Sequence, residues 1–249
     1  MRIKLIACKA LFREISLLAA DCKEMLDVTY LRQGLHNTPE LLRKTLQSTI
    51  DAIDEGTDMG TIDRRYGKDI DAIAMGYGLC SNAMIGLSSK KYKLIIPRTD
   101  DCIGLLLGSY GRYKEVFAAH PGTFWYTPSW IENAFMPSKD NYEAAHDEYA
   151  ELYGEENADY LLDTEFSLAN YKEFGYIEWE RLRFPQYEEY TKQSCAWKNF
   201  GYVKIDGKED YLRALIDGDW DEERFVVAEP GEKVVADYDG KLMRSVKNE

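Results

Sequence analysis

Short apolar segments alternate with amphipathic ones along the first 130 residues, and this alternation restricts the fold more than any other feature of the sequence. The apolar segments have the length and the flanking turn residues of β-strands. They are Arg2–Ala7, Met25–Leu31, Asp71–Met75, Lys93–Ile96 and Gly122–Thr127. Strands that alternate with helices pair in parallel through right-handed crossovers. The sequence therefore predicts an α/β protein with a doubly wound, mostly parallel sheet and helices on both faces.

Helical periodicity or helix-start residues follow most of these strands. The predicted helices span Lys9–Ala20, Asn37–Glu55, Ile103–Leu107 and Ser109–Ala118. The second of them opens with Thr38-Pro39-Glu40, which is typical of a helix start. A further helix is expected to begin with Ser81-Asn82, directly after Cys80.

The second half of the chain is more helical and more aromatic, and its strands Gly201–Ile205 and Phe225–Ala228 flank a helix over Lys208–Ile216. This pattern predicts a second, small α/β lobe at the C-terminus. We place the boundary so that residues 1–137 form the α/β domain and residues 138–249 form a helix-rich, aromatic lobe. Because no linker rich in proline, glycine or serine separates them, the second lobe is expected to close the same cleft.

The charge and the cysteine content exclude several classes of protein. A formal net charge of −13 leaves no basic stripe to neutralise phosphates, so a nucleic-acid partner is not expected. The longest apolar run, Ile103–Leu107, is far too short to span a bilayer, and residues 1–8 are typical of a first strand rather than of a signal peptide. Five cysteines, an odd number, do not indicate a disulfide framework. We therefore expect a protein of the reducing cytoplasm with no membrane partner.

Three cysteines occupy equivalent places in three strand-to-helix units. Cys8, Cys80 and Cys102 each follow closely on a predicted strand. In an open parallel sheet the loops at the carboxyl ends of the strands converge, and ligands bind there. The three thiols are therefore predicted to meet in one site, although a single cysteine in such a place is usually a small buried core residue.

Three thiolates can hold a soft or borderline metal ion. Catalytic zinc keeps three protein ligands and an open fourth position, so zinc is the first expectation for Cys8, Cys80 and Cys102. An iron–sulfur cluster is the second, although the usual C-x-x-C spacing is missing. A metal-free alternative has one thiol, Cys80, as a catalytic nucleophile whose pKa is lowered by the N-terminus of the following helix.

The loop that carries Cys80 has features of a cofactor-binding turn. Gly76 and Gly78 let the backbone approach a ligand closely, and Ser81 and Asn82 at a helix start would direct N–H groups towards an anion or the polar edge of a cofactor. The phosphate-binding fingerprints are incomplete, so a tight strand-to-helix turn is an equal alternative.

Two charged residues precede Cys102. Arg98 is a candidate for orienting an anionic group, and Asp101 is a candidate catalytic residue that supplies hydrogen bonds to the site. The alternative is a local ion pair between them, which would contribute little.

The remaining candidates rank lower. Tyr126 and Trp130, at the end of the fifth predicted strand, could form the wall of a pocket, although an aromatic core is the default for such residues. Cys22 and Cys195 are interpreted as packing residues. The three histidines have no metal-ligand spacing.

Several blocks of the sequence resemble a known family. They are Gly76-Tyr77-Gly78-Leu79-Cys80, then Pro97-Arg98 with Asp101-Cys102, Leu107-Gly108-Ser109 and Tyr113, and finally Gly122-Thr123 with Thr127-Pro128 and Trp130. Together with Cys8 they resemble the bacterial and archaeal family known as domain of unknown function sixteen-thirty-eight, over most of the chain. Asp100 stands where members commonly carry a histidine.

The resemblance implies a role in corrinoid-dependent one-carbon metabolism, because members are often encoded beside methyltransferases of the trimethylamine and glycine-betaine type. We therefore expect an enzyme or accessory factor of methyl transfer with a metal held by the three cysteines. Its expected partners are a small-molecule ligand and a corrinoid protein or methyltransferase. One alternative is a non-catalytic protein that binds or matures a corrinoid, a metal or a small methylated metabolite. Another is an interaction subunit whose cysteines serve only its core.

Overall fold

The computed structural model of the protein describes residues 1–58, 69–165 and 168–248. The chain forms two compact units. Met1–Lys114 and Lys208–Glu249 make up the first unit, and Glu115–Gly207 makes up the second. This division differs from the predicted boundary at residue 137, because the chain passes into the second unit earlier and returns to the first unit at Lys208.

The strands are β1 (Arg2–Cys8), β2 (Met25–Leu31), β3 (Ala72–Gly76), β4 (Lys93–Pro97), β5 (Thr123–Tyr126), β6 (Glu173–Glu178), β7 (Gly201–Asp206), β8 (Phe225–Ala228), β9 (Glu232–Asp237) and β10 (Leu242–Lys247). The α-helices are α1 (Phe12–Ala19), α2 (Pro39–Glu55), α3 (Cys102–Leu107), α4 (Tyr110–Ala119), α5 (Pro128–Asn133), α6 (Lys139–Tyr153), α7 (Glu155–Glu165), α8 (Pro185–Lys198) and α9 (Asp210–Ile216). Short 3-10 helices, Lys9–Leu11 and Leu35–Asn37, precede α1 and α2. Within the described parts of the chain, no helix combines the length and the apolar character needed to cross a membrane.

A five-stranded sheet with the order β2-β1-β3-β4-β8 organises the first unit. Its first four strands pair in parallel, and β8 pairs antiparallel with β4 at the edge. Successive residues of a strand point to opposite faces of the sheet. Ile3, Lys4, Leu5 and Ile6 are each at most 1% exposed, so both faces of β1 are covered.

Helices cover the two faces of this sheet. Ala7 and Gly76 are neighbours in adjoining strands, and a side chain at Gly76 would meet Ile15 of α1. Lys4 points to the opposite face, where it lines a cavity together with residues of α2. The predicted α/β class, with helices on both faces of a mostly parallel sheet, is therefore confirmed.

The first unit departs from the sequence prediction at two places. Residues 80–86 form a series of turns, so the prediction of a helix from Ser81 is wrong. The C-terminal residues form an antiparallel hairpin of β9 and β10, which the sequence did not predict. Of the apolar residues in these two strands, Val234 and Met243 are fully buried.

The second unit is itself a small α/β unit, built on the parallel sheet β5-β6-β7. The central strand β6 was not predicted, although it is the best buried of the three. Tyr126, Phe174 and Tyr176 are fully buried in an aromatic core, and Cys195 of α8 packs against them. The tyrosine-rich composition of this segment thus supplies a core.

A carboxylate with several donors fastens α8 to β7. Glu188 lies 2.7 Å from the ammonium of Lys192 and 2.6 Å from that of Lys204, and it accepts a hydrogen bond from Tyr202 at 3.2 Å. These donors, Lys192 first, lower the pKa of Glu188 from 4.5 to about 2. A carboxylate whose pKa is depressed in the folded state stabilises the protein above its unfolded pKa, and this contribution is lost as the pH falls through the folded value.

We expect Glu188→Gln to lower the free energy of unfolding at pH 7 by about 1 kcal/mol, because partly exposed ion pairs are screened by solvent. The difference from the wild type should shrink as the pH falls from 4.5 to about 2, where the native carboxylate itself becomes protonated. Thermal melts across this pH range measure the effect. Glu189→Gln is the matched control, since Glu189 accepts a hydrogen bond from the uncharged Gln193. An equal loss in both variants at pH 7 would contradict the prediction.

Candidate three-cysteine site

The three candidate cysteines lie at one edge of the five-stranded sheet. Cys8 is the last residue of β1, Cys80 follows the end of β3, and Cys102 opens α3 after β4. These strands are adjacent and parallel, so their carboxyl ends share an edge. The three residues are also close enough to influence one another's ionisation. The structure thus brings together the cysteines that the sequence singles out.

Backbone hydrogen bonds join the loop after β3 to the loop after β4. The N–H of Leu79 donates to the carbonyl of Thr99 at 2.7 Å, and the N–H of Cys80 donates to that of Asp100 at 2.8 Å. Gly78 makes this contact possible, because a Cβ atom there would lie only 2.7 Å from the backbone of Asp101. The requirement for glycine at this position is therefore steric and fixes Cys80 beside the loop that carries Cys102.

Cys80 lies in a left-handed turn rather than at the start of a helix. Cys80, Ser81 and Asn82 have φ values of 45°, 56° and 66°. Each non-glycine residue in this region costs about 1–2 kcal/mol, and such strain is concentrated at functional sites. Ser81 and Asn82 are exposed, and the carbonyl of Asn82 accepts a hydrogen bond from Arg43 at 2.9 Å. The turn therefore holds the Cys80 thiol inward without a helix dipole acting on it.

The thiols of the site are desolvated. Burial raises the pKa of Cys8, Cys80 and Cys102, and for the last two the negative charge of Asp101 raises it further. A thiol with a raised pKa is protonated near neutral pH and is a poor nucleophile. The metal-free alternative, in which a helix N-terminus lowers the pKa of Cys80, is therefore contradicted both by the turn and by the direction of the shift.

Tyr77 is an additional member of the site that the sequence argument did not single out. Its side chain is only 3% exposed, and its hydroxyl has no hydrogen-bond partner in the part of the chain that the structure describes. Burial raises the pKa of Tyr77, and the charges of Cys8, Cys80 and Cys102 raise it further, so the ring lies among the thiols. An unsatisfied buried hydroxyl costs about 1–3 kcal/mol. A bound ligand atom would supply the missing partner.

Asp101 organises the start of α3. One carboxylate oxygen accepts a hydrogen bond from the N–H of Ile103 at 2.9 Å, and the other accepts from the hydroxyl of Tyr113 at 3.2 Å. Burial raises the pKa of Asp101 to about 6. The carboxyl group therefore caps the helix that begins with Cys102, and its pKa is suited to proton transfer near neutral pH.

The donor atoms of this site suit a metal ion, but their arrangement does not form a metal site. Three soft sulfur donors and an unsatisfied hydroxyl suit zinc or an iron–sulfur cluster. However, among residues 1–58, 69–165 and 168–248 no group of three or more histidine, cysteine, aspartate or glutamate side chains is arranged to hold a metal ion. The donor set fits, whereas the present orientation of the side chains does not form a finished metal site.

Arg98 does not pair with Asp101. Its Nε and Nη1 atoms donate to backbone carbonyls of residues 222–243, so its local role is to hold those loops against β4. The predicted local ion pair is therefore wrong. Its predicted role towards an anion stays a prediction.

Tyr126 and Trp130 belong to the second unit. Tyr126 is fully buried, and its hydroxyl donates to the carbonyl of Pro137 at 2.6 Å. Trp130 is partly buried against the same aromatic core, and its indole N–H has no partner among the described residues. Their role as a pocket wall stays a prediction, as does closure of the cleft by the C-terminal part of the chain.

Cys22 and Cys195 make the contacts of packing residues. The Cys22 thiol donates to the carbonyl of Ile216 at 3.3 Å, and the Cys195 thiol donates to that of Gly201 at 3.4 Å. Neither cysteine follows a strand of the main sheet, and all five thiols of the chain are free. These residues therefore provide internal controls for the three-cysteine site.

We expect Gly78→Ala to force the two loops apart, because the new methyl group would overlap the backbone of Asp101. The loss of the two backbone hydrogen bonds and the overlap should cost about 2 kcal/mol of stability. Cys80 and Cys102 should then react faster with a maleimide, measured in the native protein by peptide mass spectrometry.

The matched control is Gly111→Ala, where the nearest atom to the new methyl group is the Ser109 hydroxyl at 3.9 Å. Alanine is preferred over glycine inside a helix, so this variant should be neutral or slightly more stable. Unchanged labelling of Cys80 and Cys102 in the Gly78 variant would show that the loop contact does not enclose the site.

Comparison with known proteins gives one assignment. The family model described as protein of unknown function DUF1638 matches residues 30–216, a range that includes Cys80 and Cys102 and begins after Cys8. No curated protein and no solved structure matches the chain. Because the matched range covers well over half of the sequence, the chain belongs to the DUF1638 family.

Proposed function

We propose that this protein is an enzyme or accessory factor of corrinoid-linked one-carbon metabolism whose working site is the three-cysteine edge. We further propose that Cys8, Cys80 and Cys102 take up a soft metal ion, with zinc as the first candidate and an iron–sulfur cluster as the second. The observation that carries the proposal is the convergence of three thiols at the carboxyl ends of adjacent strands, where α/β sheets bind ligands. The metabolic context rests on the resemblance to the family.

Uptake of a metal ion would require the buried thiols to lose their protons. A bound cation stabilises thiolates that burial would otherwise keep protonated, and its uptake releases their protons. The side chains would first have to turn towards a common point, because they do not form a metal-binding group in their present arrangement. Zinc bound here would supply Lewis acidity for activation of a sulfur or a methyl acceptor.

The residues around the thiols have properties that suit the binding of a ligand. Tyr77 has a buried hydroxyl to donate to a bound atom, and Gly78 lets the enclosing loops close. The carboxyl group of Asp101, with a pKa of about 6, can exchange a proton beside the thiols near neutral pH. Hence the chain itself supplies a hydrogen-bond donor and a group that can exchange a proton beside the thiols.

A second candidate is a protein that binds or matures a corrinoid, a metal or a small methylated metabolite without turnover. It is favoured by the engagement of both carboxylate oxygens of Asp101 in fixing α3 and Tyr113. A carboxylate that has two structural partners is less free to act on a substrate. Turnover with a methylated corrinoid would separate the two candidates.

We expect Cys80→Ser to lower metal content and metal affinity at least about tenfold, because a serine hydroxyl is a much poorer ligand for soft metals than a thiolate. The protein is purified without oxygen and analysed by elemental analysis and by its absorption spectrum. A thermal melt of each variant checks that folding is retained.

Cys22→Ser and Cys195→Ser are the controls, because these thiols bond to the carbonyls of Ile216 and Gly201 away from the three-cysteine edge. Both should keep the metal content of the wild type. A wild-type protein free of zinc and iron, or equal loading in the Cys80 variant, would remove the metal from the proposal.

A further inference from the structure

A cavity of about 350 Å³ in the first unit is lined by more cations than anions. Arg98, Lys114, Arg224 and Lys241 line it, against the carboxylate of Glu223. The chain as a whole carries a net charge of −13, so its composition would not predict such a concentration of positive charge. A basic concavity in an acidic protein attracts anions.

Arg98 is the fixed cation of this cavity. Its Nε donates to the carbonyls of Glu222 and Phe225 at 3.1 and 3.2 Å. Its Nη1 donates to the carbonyl of Lys241 at 3.0 Å and to that of Met243. These bonds do not use Nη2, and in the described part of the chain no carboxylate lies within ion-pair distance of the guanidinium. The carboxylates of Asp237 and Glu222 act on this cation electrostatically but form no ion pair with it, so Nη2 is available to an anion.

The N-terminus of α4 faces the same cavity. Ser109, Tyr110 and Gly111 line it. The hydroxyl of Ser109 accepts a hydrogen bond from the N–H of Arg112 at 3.1 Å, so Ser109 caps this ten-residue helix. The positive end of the helix dipole therefore adds to the positive potential of Arg98.

The other charged residues that line the cavity leave it with more cations than anions. Arg224 forms ion pairs with Asp219 at 3.0 Å and with Asp221, so its charge is already compensated. The ammonium of Lys114 lies 4.8 Å from the centre of the Tyr110 ring, an interaction that leaves its charge in place. Among the residues that line the cavity, Arg98, Lys114 and Lys241 thus remain against Glu223, and Asp237 and Glu222 add negative charge near Arg98.

We propose that this cavity binds the phosphate group of a small molecule. The planar fork of Arg98 and the N–H groups at a helix N-terminus suit a tetrahedral oxyanion, and the two lysines suit its double charge. Arg98 follows β4 directly, and the same loop leads to Cys102, so the phosphate lies at the strand end that also carries a thiol of the three-cysteine site. A free phosphate ion and a phosphate ester share this chemistry.

The test measures binding by isothermal titration calorimetry with the full chain. Inorganic phosphate and glycerol 3-phosphate are the probes, and acetate is the comparison anion. We expect both phosphates to bind more tightly than acetate and their affinities to fall as sodium chloride is added. Lys114→Ala and Lys241→Ala should each weaken binding about fivefold, and the double variant should weaken it further. Arg98 is left in place because it holds four carbonyls.

Lys90→Ala is the matched control, since it removes one exposed lysine from the same unit outside the cavity. Equal binding of the two probes supports a site for free phosphate, and tighter binding of the ester supports a phosphorylated metabolite. Absence of phosphate binding, acetate binding of equal strength, or an equal loss in Lys90→Ala would overturn the proposal. Cys80→Ser should keep its phosphate affinity, so failure of the metal proposal and failure of this one can be told apart.

Discussion

The contact between the loops after β3 and β4 is the constraint on which the candidate site depends. The N–H groups of Leu79 and Cys80 donate to carbonyls of the neighbouring loop, and the approach is so close that only glycine fits at position 78. Parallel strands alone would bring Cys80 and Cys102 to the same edge of the sheet. The hydrogen bonds do more, because they hold the two residues side by side and enclose them together with Tyr77.

The segment that encloses the thiols has several energetically unfavourable features. Three consecutive residues from Cys80 adopt left-handed backbone conformations, the Tyr77 hydroxyl has no partner in the described part of the chain, and burial opposes ionisation of the thiols. A purely structural core would be expected to replace such features with apolar packing. A bound ligand that accepts from Tyr77 would offset the cost of its unsatisfied hydroxyl, which supports binding rather than packing as the role of this cluster.

Local sequence patterns predicted the elements of the first sheet well and their surroundings less well. Met25–Leu31 and Phe225–Ala228 form strands with the predicted bounds, because apolar runs bounded by turn residues are decided locally. From Lys208 onward the chain returns to the first unit, where β8 pairs with β4. This pairing joins segments that are distant in the sequence, so local sequence patterns do not predict it. The turn at Cys80 was missed for a related reason. Ser81-Asn82 is typical of a helix start, but the tertiary hydrogen bond of Cys80 to the next loop prevails over that preference.

The segment from Arg98 to Cys102 connects the two parts of the first unit that are proposed here as ligand sites. Arg98 faces the basic cavity, Asp101 caps α3, and Cys102 opens that helix at the three-cysteine edge. Thr99 is fully buried inside this segment and fits against Gly104, where no side chain could be accommodated. Because both ends of so short a segment are fixed by packing and hydrogen bonds, the cation and the thiol are held at a set separation. The two proposed sites are therefore joined by a short, well-packed segment, while the residues that line the basic cavity do not include the three cysteines.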